Sequence, residues 1–146
     1  MTADQIALAQ ETLLQAAARG DIQRMKSALV AGAVLDAKRH GAGDTALMLA
    51  VAMGHEKAAV FLLEAGADPD IRNAVGRTSL HEAAFLKTPA IWNELIDHGA
   101  DKTIVSVDRH TPVTLRNSLH FGPEMVSHSQ QQGQRALGEP DTSRGR

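Results

Sequence analysis

The sequence contains no cysteine and no tyrosine, has one tryptophan and three phenylalanines, and carries a formal net charge of −2 over 146 residues. The missing cysteine excludes a disulfide scaffold, a thiolate nucleophile and any Cys-ligated zinc site together, and leaves the redox compartment open. Charge of neither sign prevails, so the whole molecule is not an electrostatic ligand for nucleic acid or anionic membrane; such an activity would need a local patch. No apolar run approaches the ~20 residues of a membrane span. The opening residues, MTADQIALAQE, lack the cationic start and apolar run of a secretory signal. The expectation is a soluble, cytoplasmic chain of one domain that neither enters nor coats a membrane.

What is present is a repeat. Residues 43 to 70, GDTALMLAVAMGHEKAAVFLLEAGADPD, read as a helix, a tight turn, a second helix and a glycine stop. A variant returns 33 residues later: Thr45-Ala46-Leu47 becomes Thr78-Ser79-Leu80 and then Thr111-Pro112-Val113, and Gly66-Ala67-Asp68 becomes Gly99-Ala100-Asp101. A fixed period of this size marks stacked repeats. Toward the N-terminus the interval is 34, because Gly32-Ala33 precedes Gly66-Ala67 by that amount. The additional residue therefore lies between Asp36 and Thr45, in a connection and not in a helix.

These residues closely resemble the ankyrin repeat family: a Thr-led helix, a Gly-His or Gly-Asp turn, a Leu-Leu helix and a Gly-Ala-Asp exit, over roughly residues 11 to 121. The resemblance implies an all-α solenoid of stacked antiparallel helix pairs with projecting β-hairpin-like loops, and protein binding without catalysis. The expected organisation is an ankyrin-repeat domain over 1–132, in units of about 4–36, 37–69, 70–102 and 103–132, followed by a disordered polar tail over 133–146.

In the first unit the pattern predicts a helix over 4–18 with Asp4 as N-cap. Asp21 then caps a second helix that turns Ile22, Met25, Ala28 and Leu29 to one face. Gln23, Arg24, Lys26 and Ser27 on the other face suit the polar outer side of a terminal unit. Thr45 caps an alanine-rich helix whose Ala46, Ala50 and Ala52 allow close approach of neighbours. The helix from about Glu56 buries Ala59, Leu62 and Leu63 and stops at Gly66. The third unit repeats this with Thr78, Leu80, Ala83 and Ala84. There Lys87 replaces the turn glycine, so Thr88-Pro89 restarts the chain as N-cap and N1, and Trp92, Leu95 and Ile96 form the buried stripe. In the fourth, Arg116-Asn117 stand in place of the alanine pair and Gly122-Pro123 delay a weak helix through Met125 and Val126, as expected of a C-terminal cap.

Seven histidines raise the question of chemistry. His81-Glu82 begins a metalloprotease-like pair, but Phe85 stands where the second histidine belongs. No glycine-flanked nucleophile elbow or phosphate loop is present. No catalytic residue, metal site or cofactor is expected, and the chain reads as non-enzymatic. The resemblance implies that His81 hydrogen-bonds Thr78, and makes Thr45, Thr78, His81 and Thr111 structural caps. His55, after the turn glycine, reads as local structure, and His98 as a helix C-terminal residue.

The resemblance also implies a concave binding face made of loop tips and the last turns of the first helices. On this chain Met53, Phe85, Leu86 and Leu119 give it an apolar floor. Arg39, His40, Arg72, Arg77, Arg109 and His110, with Lys38, surround it with cations against only Asp44 and Asp108. An acidic partner surface is expected on a monomer. The expected function is a non-catalytic protein–protein interaction module; the alternative is a small inhibitory protein of immunity or antitoxin type that occludes an enzyme. Nucleic acid is disfavoured as a ligand because the loops lack aromatic stacking residues.

Overall fold

Capping side chains at helix starts and left-handed glycines at their ends cut this chain into short helices. The computed structural model describes residues 2–86 and 89–120. Within them lie α1 (Ala3–Arg19), α2 (Ile22–Val30), α3 (Ala46–Ala52), α4 (Glu56–Glu64), α5 (Ser79–Ala83), α6 (Ala90–Asp97) and α7 (Pro112–His120), and no strand. Helices α1, α3, α5 and α7 pack in sequence as one row, α2, α4 and α6 as a second row, and each pair closes across the rows. The fold is an all-α solenoid.

The repeat interval becomes packing through equivalent positions. Leu13, Leu47 and Leu80 occupy one position of successive first helices and are 0%, 1% and 0% exposed. Met25, Ala59 and Trp92 share one position of the second helices, all buried, so a small side chain lies between two large ones along the row. Close packing requires such compensation, because neighbouring layers must fill the same spacing with different volumes.

The local chemistry differs from expectation in several places. Thr2, not Asp4, caps α1: its Oγ1 accepts from Gln5 N at 3.2 Å, and Gln5 Oε1 accepts from Thr2 N at 2.9 Å. That reciprocal pair satisfies two orphan donors and leaves Asp4 in the first turn, facing the positive end of the helix dipole. Asp21 does cap α2, accepting from Arg24 N at 3.1 Å. Ala46 and Ala50 are fully buried, whereas Ala52 ends α3 in solvent. Pro89 takes the position just before α6, and Thr88 and Lys87 lie outside the described residues. So do Gly122, Pro123, Met125, Val126 and the 133–146 segment. The outer side of the first unit is less polar than a terminal face was expected to be. Leu8 is 69% exposed there, and an open groove of ≈ 590 Å³ runs between α1 and α2 past Leu8, Ala9, Ala28 and Ala31.

Three hairpin loops project from the helices. The second closes by Asn73 N–H to Arg77 O at 2.9 Å and the third by Ser106 N–H to His110 O at 2.9 Å, while the first closes by Arg39 N–H to Asp44 O at 2.7 Å. The first hairpin is thus one residue longer, and this accounts for the change of interval from 34 to 33. Neighbouring hairpins join edge to edge, with Ala74 N–H on Ala42 O and Val107 N–H on Val75 O, both at 3.0 Å. This close approach explains Gly76, whose φ is 75° and whose hypothetical Cβ would stand 3.2 Å from Val107 N. One period later the same left-handed position holds Arg109 at φ 70°. Among the described residues no further hairpin follows it and Arg109 is exposed, although the conformation itself costs an L-residue about 1 kcal/mol.

Candidate partner-binding site

The site is assembled around the start of α5. Thr78 and His81 are both fully buried. The Nδ1 atom of His81 accepts from Thr78 N–H at 3.0 Å and lies 3.0 Å from Thr78 Oγ1. Its Nε2 is 2.9 Å from the carbonyl of His110 in the next hairpin. A ring that accepts at one nitrogen and donates at the other is the neutral Nε2–H tautomer. Burial holds this imidazole below its ordinary pKa. The His110 carbonyl pulls it back up, Arg77 and Arg72 push it down, and Asp108 pushes it up. His81 therefore joins the third unit to the loop of the fourth. Its counterpart in the second unit is Met48, whose N–H donates to Thr45 Oγ1 at 3.3 Å. In the fourth it is Thr114, which exchanges hydrogen bonds of 2.9 and 3.1 Å with Thr111.

His55 is not a local contact. Its Nε2 lies 3.0 Å from Ala18 O in the preceding unit, and its ring covers Gly20 so closely that a Cβ there would fall 2.8 Å away. His98 does stay local, with Nδ1 2.9 Å from Glu94 O.

Phe85 and Arg77 stand together on one side of the molecule. The guanidinium lies 5.3 Å from the ring centroid, and Arg77 Nη2 reaches Asp108 Oδ2 at 3.1 Å. Phe85 is 45% exposed, Met53 61% and Leu119 47%. Leu86, expected beside them, is half-buried and packs against the core. It belongs to the stack more than to the surface.

The expected cationic surround is largely neutralised by the fold. Arg39 pairs with Asp44 at 2.9 Å, and Asp44 also accepts from Asn73 Nδ2 at 3.0 Å. Arg77 pairs with Asp108, whose carboxyl is held below the usual range by hydrogen bonding from Ser106 and by Arg77. Arg72 donates to Gly76 O at 3.2 Å and Val105 O at 2.7 Å, bridging two hairpins. Among the described residues Lys38 and Arg109 form no ion pair, and both are exposed. His40 is exposed. His110 is half-buried, with its amide on Ser106 and its carbonyl on His81.

Sequence reasoning weighed Glu82 only as half of a metalloprotease-like pair and gave it no place in this group. Glu82 lies half-buried on α5. Burial pushes its carboxyl up, the Arg77 guanidinium draws it down, and the Asp44 carboxylate pushes it up. The signal for it was in the repeat alignment, where the equivalent positions are Leu49 and Leu115.

No helix among the described residues is long and apolar enough to cross a membrane. Comparison with known proteins agrees with the architecture. The family model for ankyrin repeats in three copies matches residues 13–106. An ankyrin repeat-containing protein of Treponema pallidum is 37% identical over 90 residues, covering 61% of this chain and 30% of that protein. Ankyrin repeat and SOCS box protein 16 of Mus musculus is 38% identical over 124 residues, covering 76% of this chain and 27% of its own. The inactive serine/threonine-protein kinase TEX14 of Bos taurus is 33% identical over 96 residues, 66% of this chain and 6% of its own. The chain thus spans less than a third of the length of each of these relatives. Ankyrin repeats serve in general as protein–protein interaction modules and not as catalysts. With stacked helix pairs, hairpins joined at their edges and a family match over more than half its length, this chain belongs to the ankyrin repeat family.

Proposed function

We propose that this chain is a non-catalytic module that captures a partner protein on its concave side, with Phe85, Met53 and Leu119 as apolar contacts. The observation that carries this reading is Phe85, a ring left 45% exposed in a chain with so few aromatics and held from behind by Arg77. An exposed aromatic whose position is already restrained loses little entropy on binding, which is the character of an interface anchor. The charge pattern supports a narrower electrostatic role than the residue count alone. Arg39 and Arg77 are spent on Asp44 and Asp108. Lys38 and Arg109 remain at the loop tips to attract acidic residues of the partner, which speeds encounter more than it deepens affinity.

The test is photocrosslinking. Benzoylphenylalanine in place of Phe85 should give an adduct with the native partner, whereas the same group in place of Glu64, exposed on α4, should give none. Adducts of equal yield from both positions would rule out the concave face.

A further inference from the structure

We propose that the groove between α1 and α2, at the open end of the stack, takes one amphipathic helix of a partner protein, aliphatic on the side that enters and basic along the edge that meets α1. This is a second surface, separate from the concave face. The groove is a stacking surface without its neighbour. Its lining residues Thr12, Ser27 and Ala28 correspond, at the interval of 34, to Ala46, Phe61 and Leu62 of the second unit. There Ala46 and Leu62 are fully buried, and Phe61 packs on the core with Lys26 of α2 5.9 Å from its ring centroid. The same side of the first unit is open over ≈ 590 Å³ and edged by Leu8. Apolar character extends beyond that edge. Val30 is 86% exposed and Val34 55%, at the positions where the second and third units carry the exposed carboxylates Glu64 and Asp97, and Asp68 and Asp101. Aliphatic side chains adjoining at a terminal face, where solubility alone would favour polar ones, mark a contact surface.

What closes the rest of this end decides the kind of occupant. Ala3 stands 9 residues ahead of Thr12, so the start of α1 takes the place in the repeat that a hairpin holds in the later units. In those units an aspartate of the unit before receives the amide at the exit of the second helix: Asp68 N–H donates to Asp36 at 3.0 Å and Asp101 N–H to Asp70 at 2.8 Å. In the first unit Val34 N–H donates instead to Gln10 Oε1 at 2.8 Å, and Gln10 Nε2 donates back to Val34 O at 3.0 Å. On this side α1 does what a preceding unit would do, and the helical groove is what is left to fill. A groove between two helices receives the side-chain ridge of a third, at about 8–10 Å between axes. The occupant is therefore a lone helix and not a further hairpin-bearing unit.

The charges set its flanks. Asp4 and Glu11 stand four positions before and three after Leu8, on the rim of α1, and among the described residues neither meets a cation. The cations of these two helices are engaged or distant: Arg24 pairs with Asp21 at 3.5 Å, Lys26 lies over Phe61 toward the second unit, and Arg19 is at the other end of α1. Lys38 and Arg39 belong to the first hairpin, where Arg39 is held by Asp44. A second copy of this chain would add its own Asp4 and Glu11 to this end, whereas a helix with lysine or arginine along that edge complements them.

The experiment uses the whole chain, labelled with nitrogen-15, and two synthetic peptides of about 18 residues, long enough to hold a helix. One is built of leucine, alanine and lysine with leucine on a single face; the other has glutamate for lysine. At low salt and near neutral pH the lysine peptide should shift the amide resonances of Leu8, Ala9, Ala28 and Ala31 saturably, and the glutamate peptide should bind about fivefold or more weakly. Leu8→Glu removes the apolar edge while adding a charge that suits lysine, and should still weaken the lysine peptide by about tenfold or more. Ala31→Trp, which fills the groove from an exposed position, should abolish the response. Both side chains are exposed, so these variants should melt with the native chain, and a lost response is then not a lost fold. Phe85→Ala should leave the response intact, which keeps this proposal separable from the concave face. Resonances that stay still with the lysine peptide, equal affinity for the two peptides, an undiminished response in Leu8→Glu and Ala31→Trp, or a response lost in Phe85→Ala would each overturn it. So would a dimer in sedimentation that Leu8→Glu dissolves, which makes the occupant a second copy, or a response gained only when residues 121–146 are removed, which makes it the chain's own last segment.

Discussion

Acidification tests the part of the fold that depends most on one side chain. His81 is fully buried, and its Nδ1 must stay unprotonated to accept from Thr78 N–H while Nε2 donates to His110 O. Burial lowers its pKa in the folded chain, opposed by the His110 carbonyl and by Asp108 and aided by Arg77 and Arg72. In the unfolded chain the ring titrates near pH ~6.5. The sign follows from this lowering. Above ~6.5 neither state carries the proton and the full stability is present. As the pH falls below ~6.5 the unfolded chain binds a proton that the folded chain refuses, and stability drops by up to ~1.4 kcal/mol per unit until the lowered folded pKa is reached.

Glu82 works in the opposite sense, because a raised carboxyl pKa makes the folded state gain stability as the pH falls through it. The comparison must therefore hold Glu82 constant. His81→Gln does so, since glutamine at the third helical position can accept from the N-cap amide and does not titrate. Urea unfolding of both chains across the acid range should give curves that separate below about pH 6.5, with the native chain losing up to ~1.4 kcal/mol more per pH unit. Curves that run parallel would refute the assignment of a neutral, structurally required His81.

Two further substitutions address the loops and the core. Gly76→Ala should cost about 1–3 kcal/mol, because a left-handed alanine is strained and its Cβ would crowd Val107 N at 3.2 Å. Arg109→Gly, at the same position one period on, should instead be neutral or stabilise by up to about 1 kcal/mol; denaturant melts read both, and equal destabilisation would refute the role given to the neighbouring hairpin. Trp92→Ala should cost about 3–5 kcal/mol in calorimetry, since it empties a buried position that Arg116 covers at 4.9 Å from the ring; a loss under about 1 kcal/mol would show that the row closes around the gap.

Much of the architecture was legible in the residues. Thr45 and Asp21 announced helix starts, and Gly20, Gly54 and Gly66 the left-handed ends, because a capping side chain and a positive φ act over three or four residues and leave a local mark. The shift of interval even located the additional residue of the first hairpin. Other assignments failed where the partner lay outside that range. His55 reached back to Ala18 instead of closing its own turn, and Leu86 turned into the core. Arg77 found Asp108, 31 positions away in the chain, so a residue counted as a free cation is half of an ion pair.

What the sequence determined by itself is the stack: its helices, their stops and the spacing that sets one unit on the next, since each follows from short-range chemistry repeated at a constant interval. Only the tertiary structure decided the electrical character of the face that stack presents. Stacking brings each hairpin beside the next, and which carboxylate meets which guanidinium depends on side-chain directions across that seam. The pairing there joins Arg39 to Asp44 and Arg77 to Asp108, two of the cations that the sequence had placed around the floor.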